Sequence, residues 1–326
     1  MSAATSPSGS YVALCGGIGS AKLALGLART LPPEKLTIVV NTGDDFQLLG
    51  LHISPDVDTV LYTLAGLANR QQGWGLEGET WGFMAALGRL NGPTWFRLGD
   101  RDLATHVLRT HMLRDRLGLS AVTRELASRL GVKPAVVPMS DNPVATLVET
   151  DEGALAFQDY FVRRLCEPRV RSIRFVGAET AVPAPAVRAA LAAPDLAGII
   201  ICPSNPWLSI DPMLAIPGLR QALLERRAPV VAISPLVGGQ AVKGPTAKIM
   251  GELGVALTQA SVAAHYRGLL DGLMLDTVDA SEAGTLGIPV EVTATVMRSL
   301  DDRVALAEAA LAFCARLRET TSESTS

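Results

Sequence analysis

The sequence predicts an α/β fold in which a doubly wound, Rossmann-like and mainly parallel sheet carries a largely helical insertion. Short apolar strands alternate with helical segments towards both ends of the chain, and these strands stop at loops rich in glycine or proline. The middle of the chain favours helix instead. A length of 326 residues suits about two domains, or one large domain with an insertion.

The first elements predict a βαβ unit. YVALC (11–15) is a short apolar strand that stops at glycines, and SAKLALGLARTL (20–31) has apolar residues at helical spacing. LTIVVN (36–41) is apolar and β-branched, which is typical of a buried strand. A strand, a glycine turn, a helix and a strand in this order favour a parallel sheet.

The same order of elements returns late in the chain. LAGIIIC (196–202) ends at PSNP, PVVAIS (229–234) ends at PLVGG, and GLMLD (272–276) is a weaker strand candidate. Between the two halves, residues 79–131 favour helix, and PVATLVET and ALAFQ within 138–157 predict a hairpin.

We therefore predict a nucleotide-binding core, a helical insertion and two tails. The core comprises 11–78 and 160–318, and the insertion, 79–159, is mostly helical with a hairpin. The polar ends, 1–10 and 319–326, are predicted to be flexible.

Composition excludes several classes of protein. With 29 Lys and Arg against 32 Asp and Glu, the net charge of −3 argues against a general nucleic-acid binder. No apolar run approaches the roughly 20 residues of a membrane helix, and the first residues lack the features of a secretion signal, so we expect a cytoplasmic protein. The four cysteines form no CxxC pair, and Cys15 and Cys202 lie in apolar strands, where a thiol usually acts as a small buried hydrophobe.

Four polar loops follow predicted strands, at the edge where open parallel sheets bind ligands. They are GGIGSAK (16–22), NTGDD (41–45), PSNP (203–206) and SPLVGG (234–239). In the first loop, glycines let the backbone approach a phosphate at a helix N-terminus, and Lys22 adds a positive charge. The loop lacks the GK[ST] of a Walker A motif, and Lys22 replaces the third glycine of a dinucleotide fingerprint. A purely structural βα turn remains the alternative.

Carboxylates gather after the second strand and predict a magnesium site. Asp44 and Asp45 end NTGDD, and Asp56 and Asp58 lie in SPDVDT (54–59), where Ser54 precedes a helix. Magnesium usually takes one or two carboxylates together with phosphates and water. We favour Asp44, Asp45 and Asp58 as ligands and assign Asp56 to helix capping. Since a first-turn carboxylate contributes only about 0.3–1 kcal/mol to a helix, Asp58→Asn is expected to leave the fold intact.

Two further segments are rich in polar residues. RLGDRDLATH (97–106) follows Trp95 and Phe96 and predicts a polar patch, in which His106 is more often structural than catalytic. GGQAVKGPTAK (238–248) predicts a second anion-binding loop or a mobile lid.

The chain resembles the 2-phospho-L-lactate transferase family of deazaflavin coenzyme F-420 biosynthesis. Eight blocks in family order support the resemblance: GGIGSAKLALGL (16–27), NTGDD (41–45), SPDVDTVLYTLAG (54–66), LGDRDLATHVLRT (98–110), PMSDNPVATLVET (138–150), FQDYFV (157–162), PSNPWLSIDPMLAIPGLR (203–220) and AISPLVGGQAVKGPTAKIM (232–250). They cover nearly the whole chain, and their order is far more specific than one glycine motif.

The resemblance implies a reaction between two small molecules. A diphospho-5'-guanosine donor carries a three-carbon acid on its distal phosphate, so the moiety transferred is 2-phospholactate, phosphoenolpyruvate or 3-phosphoglycerate. The ribityl hydroxyl of 7,8-didemethyl-8-hydroxy-5-deazariboflavin (Fo) attacks the distal phosphorus and GMP leaves, with Mg²⁺ neutralising the diphosphate. The choice among the three acids stays open. A homodimer and a partner guanylyltransferase that supplies the donor are also implied, whereas membrane partners are not.

The resemblance also implies roles for particular residues. Asp58 and Arg97 match the family's two Fo-contacting positions, so the insertion would contribute to the Fo site. Asp58 and Asp45 are the predicted catalytic residues, and Asp44 and Asp45 match the family's acidic pair. The predicted donor-binding residues are Gly16, Gly17, Gly19, Ser20 and Lys22 at the phosphates and Ser204 and Asn205 on the nucleotide side.

Two alternatives accompany this interpretation. A related family of non-enzymatic metabolic regulators, thought to bind nucleotide-sugars, shares the glycine turn and the acidic loop. The Arg97–His106 block and the helical insertion fit the transferase better. A nicotinamide oxidoreductase rests only on Gly17 and Gly19, and no acidic residue follows the turn at the expected place.

Overall fold

The computed structural model describes residues 9–242 and 244–323. The strands are Ser10–Cys15 (β1), Leu36–Val40 (β2), Phe46–Leu48 (β3), Leu51–Ile53 (β4), Ala135–Pro138 (β5), Ala145–Thr150 (β6), Gly153–Ala156 (β7), Val170–Val176 (β8), Leu196–Ile201 (β9), Val230–Ile233 (β10), Leu236–Val237 (β11), Gln240–Ala241 (β12), Gly272–Asp276 (β13) and Val290–Thr293 (β14). The α-helices are Gly17–Thr30 (α1), Pro55–Leu64 (α2), Gly82–Arg89 (α3), Asp100–Arg114 (α4), Leu119–Arg129 (α5), Pro185–Leu191 (α6), Asp211–Leu214 (α7), Pro217–Leu224 (α8), Thr246–Glu252 (α9), Gln259–His265 (α10) and Leu300–Glu323 (α11). Pro33–Lys35 and Thr277–Thr285 are 3₁₀ segments, and Asp159–Arg163 and Pro206–Ile210 are π-helical.

A seven-stranded parallel sheet forms the centre of the molecule. Its order is β14-β13-β10-β9-β1-β2-β5, and all six neighbouring pairs are parallel. The chain builds outwards from β1 to β5 on one side and from β9 to β14 on the other. The predicted doubly wound α/β fold is therefore confirmed, and its switch point lies between β1 and β9, the place where such sheets bind ligands.

Both faces of the sheet are covered by helices, which explains why its strands are apolar on both sides. Along β1, Tyr11, Ala13 and Cys15 pack into one core with α1, α2 and α11. Val12 and Leu14 point to the opposite core, which includes α6, α8, α9 and α10. The side-chain alternation of a strand thus divides the interior into two layers.

The first and last helices pack directly against each other. Gly26 of α1 lies so close to the Arg303 carbonyl oxygen of α11 that a side chain there would collide with it, and Ala307 packs beside it. α11 therefore covers the first βα unit. No helix among the described residues combines the length and the apolar character needed to cross a membrane.

The predicted insertion, 79–159, contains α3, α4 and α5 and the hairpin β6–β7. It also contains β5, which joins the edge of the central sheet beside β2. β6 pairs with β8 as well, so a three-stranded antiparallel sheet extends past the boundary predicted at residue 159.

The predicted tails differ from the structure where it describes them. β1 begins at Ser10, and α11 continues to Glu323, beyond the boundary predicted at residue 318. Residues 1–8 and 324–326 of these tails lie outside the described residues.

Candidate active site

The four polar loops predicted at the sheet edge line one cavity of about 780 Å³. The cavity opens above the switch point between β1 and β9. Nine of the eleven predicted site residues line it, namely Gly16, Gly17, Gly19, Lys22, Asp44, Asp58, Arg97, Ser204 and Asn205. Ser20 and Asp45 lie behind its wall.

The glycine turn begins α1 and packs tightly against the loop after β9. Gly17 has a φ of +76°, which favours glycine. A Cβ on Gly19 would lie 2.5 Å from the Pro203 carbonyl oxygen, and one on Gly16 would lie 2.5 Å from Cβ of Ser209. Each glycine therefore has a structural reason: the positive φ at Gly17, the nearby Ser209 side chain at Gly16 and the nearby Pro203 backbone at Gly19.

Ser20 joins this turn to the loop after β9. Its hydroxyl, fully buried, donates to the Gly16 carbonyl oxygen (3.1 Å) and makes a short hydrogen bond with the Ser204 hydroxyl. The Ser20 side chain thus has a structural role, because its hydroxyl group is already paired and Ser20 does not line the cavity. A phosphate contact by Ser20 through its backbone N–H stays a prediction. Ser204 lines the cavity and also donates to the Cys202 carbonyl oxygen (2.9 Å).

Two thiols lie under this joint. Cys15 and Cys202 are buried at the ends of adjacent strands with their sulfur atoms 3.5 Å apart, and both are free. Burial raises the pKa of the Cys15 thiol well above its ordinary value. They behave as the small buried hydrophobes predicted from their strands.

Asp44 and Asp56 form an acidic pair at the cavity wall. Burial, strengthened by the charge of Asp56, raises the pKa of Asp44 well above its usual range, and Asp44 Oδ1 is buried without a hydrogen-bond partner. Burial also raises the pKa of Asp56 to about 6, although hydrogen bonds from Asn41 Nδ2 (3.0 Å) and the Gly17 N–H (2.8 Å) oppose the shift.

The sequence predicts only helix capping for Asp56, and the structure adds a place in the cavity wall. It lies in the first turn of α2, as expected of a capping residue, but its carboxylate binds the glycine turn instead and lines the cavity. The charge of Asp56 acts on Asp44, which makes Asp56 the second carboxylate of this wall.

Asp45 points away from the cavity. Its Oδ2 accepts a hydrogen bond from the Ser54 hydroxyl (2.7 Å) and lies 3.0 Å from His52 Nε2. These contacts tie NTGDD to the start of α2. Asp45 Oδ1, like Asp44 Oδ1, is buried without a hydrogen-bond partner, but Asp45 does not line the cavity and its Oδ2 is held by Ser54 and His52. A direct catalytic or metal-binding role for Asp45 therefore does not fit this placement.

Asp58 lines the cavity, but both of its oxygens are bound by Arg109. Arg109 Nη1 donates to Oδ2 (3.0 Å) and Nη2 donates to Oδ1, and the arginine is fully buried. Burial would lower the pKa of Arg109, but the charge of Asp58 outweighs it and raises that pKa. A cation at Asp58 would have to sit beside this guanidinium, so the magnesium-ligand prediction for Asp58 does not fit.

His106 and Asp102 complete the polar cluster around Asp58. His106 Nδ1 lies 3.6 Å from Asp58 Oδ2 and Nε2 lies 3.3 Å from Asp102 Oδ2, while the Tyr62 hydroxyl donates to Asp102 Oδ1 (2.6 Å). Asp58, Asp102 and His106 could by spacing hold a metal ion, yet the Arg109 guanidinium in contact with Asp58 argues against one.

The sequence analysis did not single out Arg109 or Tyr62, and it did not predict that His106 lies in the polar cluster around Asp58. One signal was present: Asp102, His106 and Arg109 follow at spacings of four and three residues, so they share one face of α4. That face is buried rather than solvated.

Arg97 borders the other side of the cavity. Its guanidinium carbon lies 4.0 Å from the centroid of the Trp81 ring. Trp95 and Phe96 line the same wall and pack with Phe46 at ring distances of 6.0 and 4.8 Å. This wall combines aromatic surface with one positive charge.

Two nitrogen donors lie on the glycine-turn side. Asn205 Oδ1 caps the π-helical segment by accepting from Trp207 N (3.0 Å) and Leu208 N (3.2 Å), while its Nδ2 is buried without a partner. Lys22 Nζ donates to the Met297 carbonyl oxygen (3.0 Å), so it is held at the cavity wall by the segment before α11.

Fold and site together define an α/β enzyme with a phosphate-type turn and an acidic pair at the switch point of a parallel sheet. Residues 11–299 match the family described as 2-phospho-L-lactate transferase CofD. The chain belongs to this family, which confirms the resemblance seen in its sequence, and it is a transferase of that family.

Similar proteins support the same assignment. A phosphoenolpyruvate transferase from Streptomyces griseus is 44% identical over 316 residues, covering 94% of this chain and 99% of the relative. A 2-phospho-L-lactate transferase from Methanosarcina mazei is 38% identical, covering 90% and 96%. A crystal structure of a UPF0052-family protein from Bacillus halodurans shares the fold, with a TM-score of 0.62 at 16% identity and coverage of 93% and 99%.

Proposed function

We propose that this protein transfers a phosphorylated three-carbon acid from a diphospho-5'-guanosine donor to the ribityl hydroxyl of Fo in coenzyme F-420 biosynthesis. The hydroxyl oxygen forms a bond to the distal phosphorus while the bond from that phosphorus to the bridging oxygen breaks, so that GMP leaves, and the hydroxyl proton passes to water. One observation supports this most: a single cavity combines a phosphate-type turn and an acidic pair with an aromatic wall that carries Arg97.

The donor would bind on the glycine-turn side of the cavity. The first turn of α1 offers backbone N–H groups and the positive end of the helix dipole. Lys22 adds a cation, and the partnerless Asn205 Nδ2 adds a hydrogen-bond donor. The Gly17 N–H is bound by Asp56, so phosphate contacts would come from the following residues of the turn.

Magnesium fits the Asp44–Asp56 wall better than the set predicted from the sequence. Asp44 Oδ1 is a buried oxygen without a partner, and the two carboxylates repel each other. A cation there would give Asp44 Oδ1 a partner and would reduce the repulsion between the two carboxylates. When bound, magnesium would neutralise the diphosphate charge, with one or two carboxylates and the phosphates as ligands.

The acceptor would bind along the aromatic wall, with Arg97 at its polar edge. Asp58 is fixed in orientation by Arg109, so its carboxylate can accept a hydrogen bond from the attacking hydroxyl and align it. Asp58 would thus act on the reacting group without binding metal.

Of the three candidate acids, we favour the enolpyruvate group. The Streptomyces griseus relative at 44% identity is named a phosphoenolpyruvate transferase, whereas the Methanosarcina mazei relative at 38% is named for 2-phospho-L-lactate. The homodimer and the donor-supplying guanylyltransferase remain predictions.

A mass-spectrometric assay tests the proposal. Purified protein, Fo and magnesium are mixed with guanylyl donors that carry lactate, enolpyruvate or glycerate. We expect an Fo phosphodiester together with GMP, and the product mass identifies the acid. Folded protein that makes no product from any donor, and that instead binds a UDP-sugar tightly, would replace the transferase by the nucleotide-sugar regulator.

A further inference from the structure

Trp81 does not line the cavity, but its ring contacts the guanidinium of Arg97. The 4.0 Å between the Arg97 guanidinium carbon and the Trp81 ring centroid is well inside the range of a cation–π contact. Arg97 lines the cavity, whereas Trp81 does not. Any effect of Trp81 on a ligand in the cavity would therefore pass through Arg97.

The segment that carries Trp81 is held in place by Asp100. Trp81 is the residue before α3, and Asp100 accepts hydrogen bonds from the next two backbone N–H groups, those of Gly82 and Phe83 (both 2.9 Å). The Thr80 hydroxyl donates to the same carboxylate (2.5 Å). Asp100 follows Arg97 by three residues. Its carboxylate therefore links the backbone around Trp81 to the segment that carries Arg97.

Glu79 adds a second connection between the segment that carries Trp81 and the segment that carries Arg97. Its carboxylate accepts from the backbone N–H groups of Arg101 (2.9 Å) and Asp102 (2.8 Å) at the start of α4. The Arg101 side chain in turn donates to the Glu77 carbonyl oxygen (2.7 Å). These hydrogen bonds connect the segment that carries Trp81 to the start of α4, which follows Arg97 closely in the chain.

The Arg97 side chain itself is exposed, and within 9–242 and 244–323 its guanidinium has no hydrogen-bond acceptor or carboxylate partner. An unrestrained arginine loses rotamer freedom when it binds a ligand. Stacking on Trp81 limits that freedom beforehand and leaves the in-plane N–H groups available.

We propose that Trp81 is a positioning residue for the acceptor. Its ring holds the Arg97 guanidinium so that the N–H groups meet the polar edge of a planar, carbonyl-bearing heterocycle. The inference rests on the proposed function, in which that heterocycle is the deazaflavin of Fo.

Steady-state kinetics and calorimetric titration of Fo test this role. Trp81→Leu should raise both KM and Kd for Fo roughly three- to ten-fold, while kcat and the KM of the donor stay near wild type. Trp81→Phe keeps an aromatic face and should retain most of the affinity.

A double-mutant cycle shows whether Trp81 acts through Arg97. In an Arg97→Ala background, Trp81→Leu should cause no further loss of Fo affinity. An equal loss in both backgrounds, or unchanged Fo affinity in Trp81→Leu, would overturn the positioning role alone. Wild-type protein that fails to bind Fo would overturn both this role and the proposed function.

Discussion

At the scale of single residues, the buried pair of Asp58 and Arg109 changes what a substitution at Asp58 should do. The sequence alone suggested a first-turn carboxylate whose loss the fold would tolerate. In the structure, however, Asp58 neutralises a fully buried arginine. Removing one partner of such a pair leaves an uncompensated charge in the interior.

We therefore expect Asp58→Asn to lose activity and also about 3–5 kcal/mol of the free energy of unfolding. Urea denaturation measures the loss. Combining Asp58→Asn with Arg109→Met removes the stranded charge and should recover much of the stability without recovering turnover. A loss below about 1 kcal/mol in Asp58→Asn would mean that Arg109 is hydrated or otherwise paired.

The partnerless oxygen of Asp44 leads to a second residue-scale prediction. If magnesium binds at Asp44 as proposed, it should raise the melting temperature of the wild-type protein, because a ligand that binds only the folded state stabilises it. Asp44→Asn should abolish this rise and leave the metal-free protein at least as stable, since a costly buried carboxylate is gone. Thermal unfolding with and without magnesium measures both effects.

Asp45→Asn is the matched control, because Asp45 is the sequence neighbour that turns towards His52 and Ser54. It should keep the magnesium-induced rise. Equal loss of the rise in Asp44→Asn and Asp45→Asn would mean that the acidic loop rearranges to bring both carboxylates to the metal.

At the scale of elements, the glycine turn and the loop after β9 meet backbone to backbone. Gly19→Ala would place a methyl group 2.5 Å from the Pro203 carbonyl oxygen. We expect a loss of about 1–3 kcal/mol and a raised KM for the donor, because the loops must separate.

Gly251→Ala provides the comparison in denaturation and donor kinetics. Gly251 lies in α9 with open space around the added methyl group, and alanine favours helix, so stability should be unchanged or slightly higher. If Gly19→Ala matched Gly251→Ala in both measurements, the loops would not be tightly packed.

The strand–loop–helix pattern allowed most of the central architecture to be predicted. β1, β2, β9, β10 and β13 are continuous apolar runs that end at polar loops, and their connections fix which ends meet. The hairpin β3–β4 and strand β8 were missed, because short or half-exposed strands give weak periodic signals.

The site was predictable to the level of loops but not of contacts. Loop positions follow from sheet topology, whereas the partners of a carboxylate depend on elements distant in sequence. Asp58 forms an ion pair with Arg109, which lies 51 residues further along the chain, and Asp56 accepts a hydrogen bond from the N–H of Gly17, which lies 39 residues earlier. Spacing alone could therefore not separate Asp56 from Asp58.

At the scale of the whole molecule, the two helical layers depend on chain segments far apart in sequence. The core on one face of the sheet combines α1 and α2 with α11. Removal of α11 would expose the side of α1 around Gly26, which packs against Arg303 and Ala307 of α11.

A chain that ends at Ser299 should therefore lose cooperative unfolding, whereas one that ends at Thr320 should stay folded and active. Circular dichroism during heating and the mass-spectrometric assay distinguish the two. Cooperative melting of the shorter chain near the wild-type temperature would show that α11 is dispensable for the core.

The packing of α1 against α11 also bears on how the protein is made. A ribosome releases the first βα unit long before it has synthesised α11, so the side of α1 that packs against α11 stays uncovered until the end of synthesis. Chaperones that bind exposed apolar helices would bind α1 mainly during synthesis, before α11 is complete. Complete burial of α1, the helix that begins at the phosphate-type turn, therefore requires synthesis of the first part of the last helix.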